Sequence, residues 1–296
     1  MDAFETRPEE HRLAEQFEAN RSHLRAVAYR MLGSVSEADD AVQDAWLRLT
    51  RSDLSGVANP VGWLTTVVGR ICLDMLRSRT SRREEPLGGY VPDPVVSRED
   101  GVDPEYEALL ADSVGLAMLV VLETLTPAER LAFVLHDMFG LPFDEIAPIV
   151  DRTPTAARQL ASRARRRVRG AAPVSDVDRA RQREVVDAFQ AAARDGDFEA
   201  LVAVLDPEVR LRGDAGVRAA REVRGAAEVA RGALSFAHLI PFCRPALVNG
   251  APGIVAIRHG RVLSVLAFSV VGDRIVEIDI LADRERLRRV DLAALS

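Results

Sequence analysis

The chain of 296 residues contains no lysine, so all 39 of its basic residues are arginine. Its 2 cysteines, Cys72 and Cys243, are too few for a disulfide scaffold or a cysteine-rich zinc site. No apolar run approaches the roughly 20 residues that a membrane helix needs, and residues 1–10 lack the apolar core of a signal peptide. We therefore expect a soluble, cytoplasmic protein without membrane contact, with more than one domain at about 150 residues each.

The net charge of −6 is distributed unevenly along the chain. Residues 70–83 hold five arginines and one aspartate, and residues 152–170 hold seven arginines and no acid. Acidic clusters lie at residues 37–44 and 99–107. Net acidity argues against a protein that coats nucleic acid, whereas two local basic patches indicate contact with phosphate. Two solvated helix faces are the alternative explanation of these patches.

Residues 1–83 carry the apolar periodicity of helices. A first helix is predicted to end at Gly33, which suits a helix C-terminus. Ser36 predicts the start of a second helix through the capping box S-E-A-D, and Asn59-Pro60 predicts the start of a third. Four acidic or amide residues of the second helix lie mostly off its apolar stripe: Asp39, Asp40, Gln43 and Asp44.

Residues 85–106 are rich in proline and glycine, which predicts a flexible linker. Helices resume near Glu105, and residues 143–150 followed by an arginine-rich helix from Thr153-Pro154 form a helix-turn-helix pattern. Such a helix fits the major groove of DNA, where arginine binds guanine edges and glutamine binds adenine. Its outward residues are the candidates for DNA contact: Thr155, Arg158, Gln159, Ser162, Arg163 and Arg166.

The pattern after Pro173 predicts an α+β domain. Residues 179–194 form an amphipathic helix, and residues 198–205 a short second one. Strand signals then dominate, and near the end of the chain Val276, Ile278 and Ile280 alternate with two acids. This alternation predicts a half-buried strand on which Glu277 and Asp279 point outward.

Two stretches resemble conserved regions of bacterial sigma factors, in the same order. Residues 125–170, with L-T-P-A-E-R near the start and S-R-A-R-R-R-V near the end, resemble the fourth region. Residues 28–49, A-Y-R-M-L-G-S-V-S-E-A-D-D-A-V-Q-D-A-W-L-R-L, and residues 59–79 resemble the second. Nothing resembles the third domain of larger sigma factors, which implies the extracytoplasmic-function class. The implied domains are a region 2 helical bundle at 8–84, the flexible linker at 85–106 and a region 4 helix-turn-helix domain at 107–172.

The resemblance implies a binding partner for each helical surface. The acidic helix of this class docks on the β′ clamp of core RNA polymerase, which assigns that contact to Asp39, Asp40, Gln43 and Asp44. The third helix and its surroundings melt the minus-ten element of promoter DNA, which assigns contacts to Arg70, Arg77, Arg79, Arg82 and Arg83. The helix after Thr153 reads the minus-thirty-five element. Trp46 and Trp63 are expected to pack in the core.

Three features depart from the pattern of the family. Pro148 stands inside the first helix of the helix-turn-helix motif, where it removes a helical hydrogen bond. The glycine usual in the turn is absent near residues 150–152, and Gly69-Arg70 replaces a common Arg-Asn pair. We expect a kink or an altered turn that changes how the motif meets DNA.

Residues 178–292 resemble the SnoaL-like, or NTF2-like, α+β cone. Some sigma factors of this class carry such a tail, together with a linker motif W-L-P-E-P and a tail motif D-G-G-G-K. Residues 90–94 and 214–218 are degenerate forms of these motifs. The resemblance implies contacts between the tail and the sigma core that modulate activity within the chain, made by Tyr90, Pro92, Asp93, Pro94, Asp214, Gly216 and Arg218.

Two other functions stay open at this point. The first is a SnoaL-like small-molecule enzyme fused to DNA-binding helices, which needs a general base aimed into a cavity. His238, Asp214 and Asp279 are the candidates, although structural roles are expected for all three. The second is a repressor whose tail binds a ligand, which has no need of the acidic helix. No phosphate loop, metal cluster or nucleophile elbow stands in the sequence, so we expect no catalytic residue, cofactor or metal, and the tail's ligand is open.

Overall fold

The computed structural model describes residues 6–51, 59–81, 91–98, 115–171, 178–216 and 221–290. Four predicted site residues lie outside these ranges: Arg82, Arg83, Tyr90 and Arg218. Contacts divide the chain into two compact units, one formed by residues 1–85 with 122–170 and the other by residues 86–121 with 171–296. Within the described ranges, no helix combines the length and the apolar character that crossing a membrane requires.

The first unit begins with three packed helices, α1 (Thr6–Leu32), α2 (Val35–Leu49) and α3 (Pro60–Ser81). Gly33 ends α1 with a φ of 69°, and its N–H donates to the Tyr29 carbonyl at 2.8 Å. The predicted capping box at Ser36 is wrong. Ser34 is the N-cap residue of α2, and its hydroxyl lies 3.2 Å from that of Ser36 instead of accepting from a backbone N–H.

The helices of the helix-turn-helix motif complete this unit. In chain order they are α4 (Leu116–Glu123), which crosses the boundary between the units, α5 (Pro127–Phe133), a π-helical turn (Val134–Met138), α6 (Phe143–Ile146) and α7 (Pro154–Ala171). Glu129 and Thr126 form a capping box at the start of α5. Alanines 157, 161 and 164 and Val168 form the buried face of α7.

The turn of this motif accommodates two of the three departures from the family pattern, Pro148 and the missing glycine. α6 ends at Ile146, before the predicted end at residue 150, because Pro148 has no N–H to continue the helix. Asp151 adopts a φ of 54°, the left-handed conformation that glycine usually supplies. The Arg152 N–H then donates to the Ala147 carbonyl at 3.0 Å. Asp151 therefore takes the place of the missing glycine.

The second unit packs helices on a seven-stranded sheet. Its helices are α8 (Arg179–Asp195), α9 (Phe198–Val204), α10 (Ala226–Ser235), a 3-10 turn (Ala237–Phe242) and α11 (Arg284–Leu287). Its strands are β1 (Val96–Ser97), β2 (Leu205–Asp214), β3 (Arg221–Arg224), β4 (Cys243–Val248), β5 (Ala251–Arg258), β6 (Arg261–Val271) and β7 (Arg274–Leu281). The strand order is β1-β4-β5-β6-β7-β2-β3, antiparallel except for the parallel pair β2 and β7.

The hydrophobic core of this unit lies between α8, α9, α10 and one face of the sheet. Val186 and Leu201 are fully buried there, and the rings of Phe189 and Phe268 meet edge to face with centroids 5.6 Å apart. The N-terminal caps of α8 and α9 are the carboxylates of Asp178 and Asp197, which accept backbone N–H groups at 2.8 and 2.9 Å. The predicted α+β architecture is confirmed.

The segment predicted as a flexible linker contains an ordered strand of this sheet. β1 pairs antiparallel with β4, with Val96 opposite Val248 and Ser97 opposite Leu247. Its proline and glycine content correctly excludes a long helix, but proline is compatible with extended chain at a sheet edge. Among residues 91–97 all but Asp93 are buried. This part of the predicted linker therefore belongs to the tail.

Candidate functional site

The acidic face of α2 is exposed as the sequence predicts. Asp39, Asp40, Gln43 and Asp44 are all solvent-exposed, while alanines and Val42 bury the opposite face. Arg25 of α1 binds the Asp39 carboxylate at 2.6 and 3.2 Å, which partly neutralises that residue. Leu47, one turn beyond Asp44, is 45% exposed. A large apolar side chain beside carboxylates suits a protein partner, and sequence reasoning missed it.

The predicted minus-ten arginines have different environments. Arg77 is exposed. Arg70 is also exposed, and its Nη2 donates to the Pro148 carbonyl at 3.1 Å. Arg79 forms an ion pair with Glu37 and donates to the Leu32 carbonyl at 3.3 Å, so in this conformation it ties α3 to the preceding helices.

The expected core tryptophans are both half-buried. The ring of Trp46 packs on Phe17 with centroids 5.1 Å apart, and Trp63 lies in the first turn of α3. Neither ring is fully exposed.

Region 2-like and region 4-like helices share one compact unit. A Cβ added at Gly69 would lie 3.1 Å from Leu135 Cδ1, so glycine allows α3 to approach the π-helical turn closely. Arg130 is 2% exposed, and it donates to the Arg30 carbonyl at 3.3 Å and to Glu123 at 2.8 Å. The buried guanidinium of Arg130 therefore links helices that the sequence assigns to separate domains.

The outward face of α7 carries every predicted minus-thirty-five residue. The six side chains are all exposed: Thr155, Arg158, Gln159, Ser162, Arg163 and Arg166. The Arg158 guanidinium lies over the ring of Phe143, 5.3 Å from the ring centroid, which is a cation–π distance. Arg163 and Arg167 both bind the Glu129 carboxylate, each at 2.9 Å. Sequence reasoning did not identify Glu129 as their common partner.

A clasp centred on Arg286 fastens the linker segment to the tail. Its Nε and Nη2 bind the Asp93 carboxylate at 2.7 and 2.6 Å, and its Nη1 binds Asp214 at 2.8 Å. Its Nη2 also donates to the Val91 carbonyl at 2.5 Å. The Val91 N–H donates to Asp214 at 3.3 Å. One guanidinium therefore joins α11, the end of β2 and the linker, and we define these four residues as the clasp.

A second attachment lies a few residues along the linker. The Val95 N–H donates to the Asn249 side chain at 3.1 Å, and the Asn249 N–H donates to the Val95 carbonyl at 2.8 Å. Asn249 is 2% exposed and has a φ of 49°, a conformation that asparagine tolerates in turns.

The structure thus brings together two predicted regulatory residues, Asp93 and Asp214, and places Pro92, Pro94 and Gly216 beside them along the chain. The Gly216 N–H donates to the Asp214 carboxylate at 3.0 Å. Sequence reasoning missed Arg286 and Asn249. Arg286 is one of several arginines near the C-terminus, and no local pattern distinguishes it from the others.

The expected outward position of Glu277 and Asp279 does not mean exposure. Both are 2% exposed and bind Arg212 of the adjacent strand, Asp279 at 2.8 Å. Burial raises the pKa of Asp279 despite the nearby Arg212 charge. Alternation places them on the face away from the helices, but it says nothing of what covers that face.

The candidate general bases lie apart from the groove found among the described residues of the tail. A groove of about 530 Å³ lies between α9, α10 and β2 and is lined by Val202, Ala203, Leu205, Pro207, Gly225, Ala226, Ala227, Glu228, Arg231 and Arg274. His238 is exposed, and Asp214 and Asp279 bind arginines. None of these three residues lines the groove.

Comparisons with known proteins agree with this architecture. The Sigma-70 region 2 family matches residues 16–82, and the Sigma-70 region 4 family matches residues 116–168. The chain is 44% identical over 248 residues to the ECF RNA polymerase sigma factor SigJ of Mycobacterium tuberculosis strain H37Rv, covering 80% of this chain and 79% of that relative. It is 36% identical over 276 residues to the probable ECF RNA polymerase sigma factor SigI of strain CDC 1551, covering 91% and 92%.

A solved structure matches most of the chain as well. The crystal structure of the M. tuberculosis extracytoplasmic function sigma factor SigJ superposes with a TM-score of 0.77 at 36% identity, covering 94% of this chain and 99% of that one. The match therefore includes the α+β tail in addition to the two helical regions. The chain belongs to the extracytoplasmic-function family of RNA polymerase sigma factors, which direct promoter recognition and are not enzymes.

Proposed function

We propose that the C-terminal domain modulates this sigma factor from within the chain by holding the linker between the two promoter-binding regions. The clasp is the observation that carries the proposal. Asp93 and Val91 of the linker and Asp214 of the tail share one guanidinium, and Arg286, Asp93 and Asp214 have side chains that are 18%, 14% and 8% exposed. A linker paired with the tail sheet has fewer conformations than a free one.

This restriction limits how far apart the two DNA-binding helices, α3 and α7, can lie. A free linker over residues 85–106 allows α3 and α7 to separate to whatever distance the polymerase and the promoter require. A linker fixed at residues 91–97 limits the separation of α3 and α7 that the linker allows. The tail therefore biases which promoters the sigma factor uses, and a change in the clasp changes that bias.

The remaining contacts follow from the exposed surfaces. We assign binding of the core polymerase β′ clamp to the acidic face of α2, in which Asp40 and Asp44 form no ion pair among the described residues. Arg70 and Arg77 serve the minus-ten element, and the six exposed residues of α7 serve the minus-thirty-five element. We assign a structural role to the tail's candidate bases because their carboxylates bind arginines. The cytoplasm is where such a protein acts.

Run-off transcription with core polymerase tests this proposal. Wild-type protein is expected to direct specific initiation, and Arg286→Ala is expected to change the relative output of promoters that differ in spacing between the two elements. Arg158→Ala is expected to weaken upstream-element recognition while polymerase binding stays intact. Equal relative output from wild type and Arg286→Ala across several spacings would contradict modulation by the tail.

A further inference from the structure

We propose that Glu129 is a positioning residue for DNA binding, because its carboxylate holds the guanidinium groups of Arg163 and Arg167 in place for two backbone phosphates of the upstream promoter element. The inference rests on the proposed function, since it takes α7 as the helix that binds that element. Glu129 itself touches no DNA in this proposal. It acts through the two arginines.

The three side chains differ in exposure in the way that such a role requires. The Glu129 side chain is 5% exposed, whereas those of Arg163 and Arg167 are 47% and 52% exposed. Arg163 donates from Nε to Oε1, and Arg167 donates from Nη1 to Oε2, both at 2.9 Å. A buried anion thus anchors one edge of each guanidinium, and the rest of each group reaches solvent.

The anchor is itself fixed by the start of α5. The Thr126 hydroxyl donates to Glu129 Oε2 at 2.9 Å, and the Thr126 N–H donates to the same oxygen at 3.3 Å. Burial alone would raise the pKa of Glu129, but the Thr126 and Arg163 hydrogen bonds and the Arg167 charge outweigh it and lower the pKa. The carboxylate is therefore ionised at neutral pH and cannot rotate freely.

Arginines 163 and 167 lie four residues apart, so they share one side of α7. Each guanidinium has five N–H groups in a planar fork, and the described contacts use one of them. The other N–H groups are suited to phosphate oxygens, which arginine binds in bidentate fashion. Phosphate contacts of this kind fix the register of a recognition helix on the duplex.

Two effects of Glu129 on DNA affinity oppose each other. Its negative charge repels phosphate, but the repulsion is screened by salt and by the two guanidinium groups between. Its hydrogen bonds restrict two flexible side chains before DNA arrives, which removes part of the cost of ordering them. Because two long side chains are restricted and one screened charge is added, we infer that positioning outweighs repulsion.

The test measures affinity of the holoenzyme, formed from the full chain and core polymerase, for promoter DNA at several salt concentrations. Glu129→Gln keeps the size of the side chain and removes the charge, and Glu129→Asp keeps the charge and moves it. Both variants are expected to weaken binding about tenfold. Both are also expected to lower the slope of log affinity against log salt by about 1 to 2, the value for one or two lost phosphate contacts.

Glu145→Gln is the matched control, since it removes the charge of an exposed carboxylate in the same helix-turn-helix motif and leaves the contacts of Glu129 with both arginines in place. It is expected to bind DNA like wild type. In a chain that already carries Arg163→Ala and Arg167→Ala, Glu129→Gln is expected to have no further effect, which separates positioning from loss of fold.

Unchanged or tighter binding by Glu129→Gln would overturn the proposal, and so would an equal loss in Glu145→Gln. A wild-type holoenzyme that discriminates the intact upstream element from a scrambled one, together with an unaffected Glu129→Gln, contradicts only the role of Glu129. A wild-type holoenzyme that makes no such discrimination contradicts the assignment of α7 and the role of Glu129 together.

Discussion

Removing the guanidinium of the clasp tests the attachment of the linker directly. Arg286→Ala leaves the carboxylates of Asp93 and Asp214 without their shared cation and the Val91 carbonyl without its donor. The pairing of Val96 and Ser97 with β4 stays possible, but a two-residue strand contributes little by itself. We therefore expect residues 91–97 to leave the tail sheet far more often than in the wild type.

The size of the effect follows from burial and hydrogen-bond type. A hydrogen bond to a charged group contributes about 1.5–3 kcal/mol, and truncating one member of a buried ion pair costs about 3–5 kcal/mol. The Arg286 side chain is 18% exposed and its two partners are 14% and 8% exposed, so partial solvation reduces the cost. We take about 3 kcal/mol as the free-energy cost of Arg286→Ala. A cost of this size increases the population in which the linker is detached from the tail roughly 150-fold.

Amide hydrogen exchange measures that population. The Val91 and Val95 N–H groups donate to side chains of the tail, so their exchange reports opening of the attachment. We expect peptides covering residues 91–97 to exchange about 100-fold faster in Arg286→Ala, while peptides from α8 keep wild-type rates. Arg284→Ala is the matched control, because Arg284 lies on the same short helix and is exposed.

Two results would refute this reasoning. Exchange of residues 91–97 within about twofold of wild type in Arg286→Ala would mean that the clasp contributes less than about 0.5 kcal/mol. Equal acceleration in Arg284→Ala would mean that the effect arises from a general loss of positive charge near the C-terminus.

Four further predictions concern individual residues. Replacing Asp40 and Asp44 by lysine is expected to weaken assembly with core polymerase at least about tenfold at low salt, measured by a pull-down titration. The same charge reversal at Asp195 and Glu199, the control, is expected to leave assembly unchanged. Because the pKa of Glu129 is lowered in the folded protein, its carboxylate stabilises the fold above the ordinary pKa of 4.5, and this contribution is lost as pH falls through the folded pKa. The free energy of unfolding of Glu129→Gln in urea is therefore expected to lack the part of the pH dependence below 4.5 that this carboxylate gives the wild type. A Cβ at Gly253 would lie 2.5 Å from Val248 Cγ2 and 2.7 Å from the Leu266 carbonyl, so Gly253→Ala is expected to destabilise the tail by about 1–3 kcal/mol. Gly232→Ala, which meets nothing within 4 Å inside α10, is expected to stabilise it by about 0.5–1 kcal/mol in the same thermal unfolding measurement.

The sequence predicts the elements of this fold better than the contacts between them. Apolar periodicity identifies α8 and α9 nearly to the residue, because that signal is local. The predicted end of α6 at residue 150 is misplaced because the sequence predicts a kink or an altered turn at Pro148 and not the end of the helix before it. The left-handed Asp151 is missed because aspartate adopts that conformation far less often than glycine and nothing local indicates it.

In the candidate site, too, the exposure of individual residues can be predicted from the sequence, but their contacts cannot. Exposure of the outer faces of α2 and α7 follows from spacing alone, since residues off an apolar stripe face solvent. The residues that pair with those faces cannot be predicted from spacing. Arg286 lies 193 residues from Asp93 along the chain, and no periodicity connects residues at such a distance. Glu129 and Arg163 are separated by 34 residues, and their pairing depends on how α5 and α7 cross.

The absence of lysine gives these pairings a common physical basis. Each cation in the described clusters is a planar guanidinium, which can bind a carboxylate and a carbonyl or two carboxylates at once. Arg286 binds two carboxylates and a carbonyl, and Arg212 binds two carboxylates. The ammonium group of lysine carries all its donors on one nitrogen atom. It therefore cannot reach acceptors that are arranged around the three nitrogen atoms of a planar guanidinium. Arg286→Lys is therefore expected to retain the charge of the clasp but to restore less than half of the exchange protection lost in Arg286→Ala, and full restoration by lysine would show that charge alone holds the linker.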